Sequence, residues 1–376
     1  MALRIKQKMP RIMATSMWSL YRRDARNTHS RGEPSAMLRF TPLVAALLIL
    51  PNAALPATYK TPHTTFGAPD LQGIWTNSSL TMLERPPIFK ALIATPSEAA
   101  TMEAMFAKMV PDPLKPVDPN APAPPAVKRV ENSEWIEMDV HLARIDGNLR
   151  SSWIVEPEDG KLPFTAAGKA AKAAADKTSY DNPESRPLTE RCLTAIGSPE
   201  GPPMMNTGYN ANYKIVQTPD AVAIEVEMIH EVRVVRMTDR AHAPEAIRSW
   251  LGDSVGWYEG GTLVVETTNF DPRTNIDSLT GGFTYSPKGK LTERFTRLSD
   301  HEMMYEFSID DPVHFTRPWV GRMPWRTASG PVYEYACHEG NYSLPLALSG
   351  ARVQARAASE GANPPRPKTQ VTPAPR

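Results

Sequence analysis

Ala221-Val222-Ala223-Ile224-Glu225-Val226-Glu227-Met228-Ile229-His230-Glu231-Val232-Arg233-Val234-Val235-Arg236-Met237 is the stretch on which the fold turns. Apolar and polar residues alternate through it with period two, the period at which an extended chain points its side chains to opposite faces. Val222, Ile224, Val226, Met228, His230, Val232 and Val234 share one face, and Glu225, Glu227, Glu231 and Arg233 the other. The spacing predicts one long strand, with a bend or bulge near its middle, as strands of that length usually have.

More strands lie on either side. Residues 213–217 precede it. Gly256-Trp257-Tyr258 and residues 262–268 flank the tight turn Glu259-Gly260-Gly261, and residues 291–298 and 303–309 flank another at 299–302. Residues 319–325 and 332–338 are the last two predicted strands, residues 70–76 the first, and residues 151–156 a strand closed by Asp159-Gly160. Helix signals are fewer. Thr95-Pro96-Ser97-Glu98 is a capping box that starts a helix to about residue 109. Residues 165–175 are Ala-rich, residues 244–251 begin on Pro244 and stop at Gly252, and residues 346–358 are helical in pattern. Proline, at 38 of 376 residues, is about twice as common as usual, and residues 110–126 are rich in it, so long loops join short strands. Strands in neighbouring hairpins without a β-α-β alternation predict a mainly β fold, an antiparallel meander closed as a barrel or packed as a sandwich, with a few peripheral helices. The expected organisation is an N-terminal extension and export signal over 1–57, one β-rich domain over 58–358 with a loop and helix insertion at about 90–190, and a disordered tail over 359–376.

The first strand carries Gly73-Ile74-Trp75, a Gly-x-Trp that resembles the lipocalin-like barrels, in which the Trp plugs one end. Four longer blocks carry a broader resemblance: Pro69-Asp70-Leu71-Gln72-Gly73-Ile74-Trp75, Arg186-Pro187-Leu188-Thr189-Glu190-Arg191-Cys192, Gly256-Trp257-Tyr258-Glu259-Gly260-Gly261-Thr262-Leu263-Val264-Val265-Glu266-Thr267, and Tyr333-Glu334-Tyr335-Ala336-Cys337-His338-Glu339-Gly340-Asn341-Tyr342. Together they resemble a family of exported proteins of soil and freshwater bacteria that has no assigned activity. The resemblance implies that both cysteines belong to the family pattern.

Met37-Leu38-Arg39-Phe40, an apolar block over 43–50, and Leu55-Pro56-Ala57 follow the order of a secretory signal, with Met37 the expected start. An uncleaved anchor is the alternative, although the apolar core falls short of the roughly 20 residues a membrane span needs. Without residues 1–57, which hold nine basic and two acidic side chains, 33 basic face 39 acidic residues, a net of −6. That excludes the basic footprint of a nucleic-acid binder. In the periplasm or outside the cell, Cys192 and Cys337 are a disulfide pair, or else two buried thiols.

Chemistry is written less clearly. No dinucleotide fingerprint, phosphate loop or haem-attachment motif occurs. Gly252-Asp253-Ser254-Val255-Gly256 matches the Gly-x-Ser-x-Gly elbow of serine hydrolases, but follows a helix signal and leads into a hairpin, the reverse of the context that chemistry needs. His230, His338 and Glu339 are the catalytic candidates, as an acid–base set at one barrel mouth. Trp257, Arg233, Tyr333, Asp239 and His242 are the ligand-binding candidates. Imidazoles with a carboxylate also suit a metal ion, though no His-x-His spacing compels one. No cofactor is expected. The expected function is binding of a small apolar or aromatic ligand in a barrel cavity, alone or with cofactor-independent lyase, isomerase or hydrolase chemistry. The alternative is a non-catalytic envelope scaffold.

Terminal sequencing of the protein from an envelope fraction is expected to begin near Thr58. An intact chain starting at Met1 in the cytoplasm would refute export.

Overall fold

The computed structural model describes residues 59–107, 139–278, 281–338 and 341–360. The export signal, the predicted end of the first helix, the 110–126 stretch, Glu339 and the tail beyond Glu360 lie outside the described residues. In chain order come β1 (Gly73–Thr76), α1 (Pro96–Ala107), the hairpin β2 (Arg144–Ile145) and β3 (Asn148–Leu149), β4 (Ile154–Glu156) and α2 (Ala166–Ala175). Then follow β5 (Asn212–Gln217), β6 (Ala221–Val226), β7 (Glu231–Arg236), β8 (Asp253–Glu259) and β9 (Thr262–Thr268). The hairpin β10 (Asn275–Ser278) and β11 (Gly281–Thr284) precedes β12 (Lys290–Arg297), β13 (Glu302–Asp310), β14 (Trp319–Thr327) and α3 (Ser343–Ser359). The capping box forms as predicted, Glu98 N donating to Thr95 Oγ1 at 3.2 Å and Thr95 N to Glu98 Oε2 at 2.8 Å.

Nine strands close on themselves in the order β1-β5-β6-β7-β8-β9-β12-β13-β14. β14 completes the ring by pairing Trp75 with Thr327 and Thr76 with Arg326 of β1 and β14, while β4 pairs with β14 nearer its start. This is a closed, lipocalin-like barrel rather than a sandwich. β1 spans the closure: all four of its residues pair with β5 on one side, and Trp75 and Thr76 pair with β14 on the other.

The deciding stretch is not one strand. Residues 228–230 form a tight turn, with Ile229 at φ 55° and His230 at φ 44°, left-handed conformations that are uncommon for residues other than glycine. β6 and β7 are therefore the two arms of a hairpin, with Ile224 opposite Arg233. The turn changes which residues face inward. Val222, Ile224 and Val226 are buried as predicted, but beyond the turn Arg233 and Val235 point inward, while Val232 and Val234 are 47% and 55% exposed. Two other expectations give way. Residues 244–251 form turns instead of a helix, and residues 332–338 are irregular instead of a strand.

The barrel interior is filled. Trp75 belongs to the core, its indole N–H donating to the Leu71 carbonyl at 3.0 Å and Arg297 lying over its ring. Tyr213 stacks on Trp325 with centroids 4.2 Å apart, Phe295 on Tyr305 at 4.9 Å, and Phe307 meets Trp319 edge to face at 5.8 Å. All six rings are fully buried. Nine strands enclose a space that side chains of this size can occupy, and each such ring removes on the order of 150–250 Å² from water. A smaller cluster of Leu80, Phe89, Ala94, Ala99, Met102 and Leu142 seats α1.

One seam in the wall is thinly paired. β7 and β8 run parallel and meet only at Arg236 and Val255. There Gly256 lets them touch, since a Cβ would come within 2.7 Å of Val235 Cγ1 and 2.8 Å of Met237 Sδ. Across the seam the buried Arg233 guanidinium does what backbone pairing does elsewhere. It donates to Ser254 Oγ on β8 (3.1 Å), to Thr267 Oγ1 on β9 (2.8 Å) and to both carboxylate oxygens of Glu293 on β12. The pair is bidentate and almost wholly out of water. Leaving one such charge unpaired costs about 3–5 kcal/mol, whereas replacing both by apolar groups is often neutral. Arg233→Met is thus expected to lower stability by about that amount, and Arg233→Met with Glu293→Leu to recover most of it. Urea unfolding of both variants checks this, and a double variant no more stable than the single would show that the pair does not act as a unit.

Candidate functional site

The structure places the sequence-nominated residues in four separate places. Arg233 is inside the wall, tied to Glu293 and not to Glu306 or Glu334. His242 lies on the outer face, Nδ1 2.8 Å from Asp253 and Nε2 3.3 Å from Glu266, with Asp239 exposed nearby. Trp257 is also outside, donating to Glu259 at 2.8 Å beneath the Arg240 guanidinium. His230 sits exposed at the hairpin tip with Nδ1 2.9 Å from the Tyr335 carbonyl, beside the segment that carries the exposed Tyr333 and His338. So His230 and His338 belong to one neighbourhood, yet neither is buried and neither lines a cleft described below. The cause is the turn at 228–230, which takes His230 off the apolar face where the alternation had put it.

Cys192 and Cys337 are joined, their Cα atoms 5.8 Å apart. The bond and the His230 contact fasten residues 331–338 to the barrel. Ser254, at the centre of Gly-x-Ser-x-Gly, lies within β8 with its hydroxyl taken by Arg233 and Thr267. The two glycines have structural roles: Gly252 turns the chain at φ +70°, and Gly256 admits β7. Neither a strand-to-helix turn nor a histidine is at hand, so the motif does not form a nucleophile elbow.

A cleft of about 530 Å³ opens outside the barrel between α2, residues 184–194, the β10–β11 hairpin and the turn at His314. Thr165 builds one wall: its hydroxyl accepts from Gly168 N at 3.0 Å to start α2, and its own N–H donates to the His314 carbonyl at 2.9 Å. Asp311 shapes the opposite turn, accepting from Ser286 N and Oγ (both 2.7 Å), Val313 N (3.1 Å) and His314 N (3.2 Å). Thr194 lines the cleft too, and the chain beyond Thr194 is tied to the hairpin. Ser198 Oγ accepts from Asp277 N at 3.0 Å, and the Pro202 carbonyl accepts from Tyr285 OH at 3.0 Å.

The polar groups of the cleft are unevenly satisfied. His314 Nδ1 lies 2.7 Å from the Thr284 carbonyl and must donate to it, which leaves Nε2 outside that bond. Asn275 Nδ2 donates to both oxygens of Asp277 at 3.2 Å, so its carbonyl faces away from that carboxylate. That carbonyl oxygen and the Thr284 hydroxyl are buried without a hydrogen-bond partner among the described residues. Asp277 has its pKa pushed up by partial burial, against the opposing pull of Lys172 at 3.2 Å. Arg191, Arg273 and Lys177 give the mouth a cationic edge. Among the described residues no group of three or more His, Cys, Asp or Glu is placed to hold a metal ion, and no helix is long and apolar enough to cross a membrane.

Sequence reasoning missed His314, Thr284, Asn275 and Asp277 because they come from a turn and a short hairpin far from the alternating stretch. The one local signal is Asp311-Pro312-Val313-His314, where an Asp can cap the turn that presents a His.

Fold and site define a closed β-barrel protein with a packed lumen and a polar cleft outside it. No family model and no curated protein matches the chain. Among solved structures, an abundant heat soluble (SAHS) protein from Ramazzottius varieornatus is similar over 31% of this chain and 70% of that one, at 10% identity and a TM-score of 0.20. At that score the barrel rests on its own strand pairing and not on the likeness.

In the segment that follows Thr194, Glu200 is buried with Oε1 accepting from Ala195 N at 3.0 Å and Oε2 unpartnered among the described residues. Burial pushes its pKa up from 4.5 to about 8, despite the backbone bonds that oppose the rise. A carboxyl raised in this way holds its proton more tightly folded than unfolded, so stability falls as pH climbs from about 4.5 to about 8. Glu200→Gln removes that titration. The melting-temperature difference, variant minus wild type, is expected to grow across this window, and a constant difference would show that Glu200 is ionised in the fold.

Proposed function

We propose that the protein binds a small polyhydroxylated molecule in the cleft lined by Asn275, Asp277, Thr284 and His314. The observation that carries this is the pair of unpartnered buried polar atoms, Thr284 Oγ1 and Asn275 Oδ1. Each costs stability on the order of 1–3 kcal/mol while it stays unpaired; both residues line the cleft, so a rotation of either side chain would bring the atom to a ligand hydroxyl. Asn275 Oδ1 accepts only, so it calls for a donor, and the cleft volume lies within the range of small-molecule sites. This replaces the apolar or aromatic ligand expected from the sequence, because the packed aromatic lumen takes up the space such a ligand would need. The joined cysteines support an exported protein, since disulfides persist in oxidising compartments.

A second reading has one observation behind it. His314 Nε2 is a base at the cleft wall with its tautomer set by the Thr284 carbonyl, and Asp277 lines the same cleft. A cofactor-independent lyase, isomerase or hydrolase acting on the bound molecule would use these two groups.

Thermal-shift and calorimetric titration with a panel of neutral sugars, sugar acids and polyols is expected to find saturable binding. Thr284→Val should weaken it about tenfold, while stability rises by about 1 kcal/mol once the unpaired hydroxyl is gone. No binding anywhere in the panel, or full affinity in Thr284→Val, would overturn the assignment. Turnover of a bound member, lost in His314→Gln with binding retained, would add the second reading to the first.

A further inference from the structure

The seam between β7 and β8 has a consequence for partners. In the β6–β7 hairpin, Met237 N donates to the Asp220 carbonyl, and on the far side of β6, Glu227 N donates to the Asn212 carbonyl. Those two bonds set the alternation of an antiparallel ladder. Residues 231, 233 and 235 direct their N–H and C=O groups to β6, and residues 232, 234 and 236 direct theirs away from it. Arg236 uses its pair on β8, where it stands opposite Val255. The backbone groups of Val232 and Val234 face the seam, where neither forms a ladder pair with β8. Here β8 has given way to the turns at 249–252, and a groove of about 280 Å³ opens, walled by Leu193, Trp250 and Leu251 with Glu231 and Arg233 along β7.

We infer that this groove is a docking site for an extended polypeptide segment of another protein, which adds a strand to β7 beside Val232 and Val234. A strand edge with donors and acceptors two residues apart is matched by another extended backbone and by little else. Side-chain chemistry narrows the occupant further. Residues beside Val232 and Val234 would point outward, next to valines 47% and 55% exposed, and should be apolar. The inward position beside Glu231 should be basic. That carboxyl has no ion-pair partner among the described residues except the electrostatic influence of His230, and burial raises its pKa. Arg233 makes no competing demand, since Glu293 neutralises it. The partner is therefore an extended chain in which apolar residues alternate with lysine or arginine. The groove has room for about two of its residues at full depth, and Arg236–Val255 ends the opening at the other side.

The test uses three fluorescent eight-residue peptides with the full mature chain: alternating valine and lysine, the same sequence with alternate backbone nitrogens methylated along one edge, and alternating valine and glutamate. The valine–lysine peptide is expected to bind saturably. Methylation or the exchange of lysine for glutamate should each weaken binding at least tenfold. Hydrogen exchange reads the same edge without mutation. The Val232 and Val234 amides should exchange fast in the free protein and at least tenfold slower with the peptide, while Arg233 and Val235 stay protected throughout. Val234→Pro removes one seam-facing N–H at a position where an edge strand tolerates proline, and should abolish the binding. Absence of binding, equal binding of the methylated peptide, or Val232 and Val234 amides that the peptide leaves unchanged would each overturn the inference. If Val234→Pro fails to fold, the exchange measurement decides.

Discussion

The buried ion pair between Arg233 and Glu293 is the constraint on which the rest of the molecule depends. Backbone pairing closes the barrel everywhere except between β7 and β8, where it holds for a single residue pair. The guanidinium crosses that gap and binds β8, β9 and β12 together. An unpaired charge in that position would be far costlier than any surface alternative, so β7 must present Arg233 inward. With period-two alternation, Val232 and Val234 must then face out. The exposed valines and the inward charge are one decision, not two.

The same network reaches the cleft. Tyr305 OH donates to Glu293 Oε1 at 2.7 Å and accepts from Met204 N at 3.0 Å. That bond draws the segment around residues 198–205 into the barrel end, where Met204 and Met205 join the core. Having entered there, the segment offers Ser198 to Asp277 and the Pro202 carbonyl to Tyr285. A hydrogen-bond chain that begins at the seam thus reaches two residues of the cleft lining, Asp277 and Tyr285. Filling the lumen with stacked rings has a related effect. It stabilises the closed wall, and the cleft and the groove at the seam lie outside the packed rings.

Much of the fold was legible in the residues. The hairpins around Gly260-Gly261 and residues 299–302 lie where turn residues separate alternating runs, and Gly73-Ile74-Trp75 marked the first strand of the barrel. Thr95 to Glu98 announced α1, because a cap is satisfied within four residues of chain, and the Ala-rich run announced α2. Legibility ended where a turn carried no signal. Glu227-Met228-Ile229-His230 holds neither glycine, proline, asparagine nor aspartate, so nothing in it interrupts the alternation, and the left-handed residues that reverse the chain there are held by what surrounds them.

The sequence by itself determined the mainly β class, the neighbouring hairpins, the starts of α1 and α2 and the two cysteines available for a bond, since each follows from contacts among near neighbours or from composition. Only the tertiary structure decided that the ring closes with nine strands, that the 221–237 run folds back on itself, and that His314, Asp277, Thr284 and Asn275 share a cleft while His230, His242 and Trp257 do not. The reason lies in parity and distance. One unsignalled reversal exchanges the two faces of every residue after it, and a site assembled from a helix, a loop, a hairpin and a turn leaves no periodic trace in any one of them.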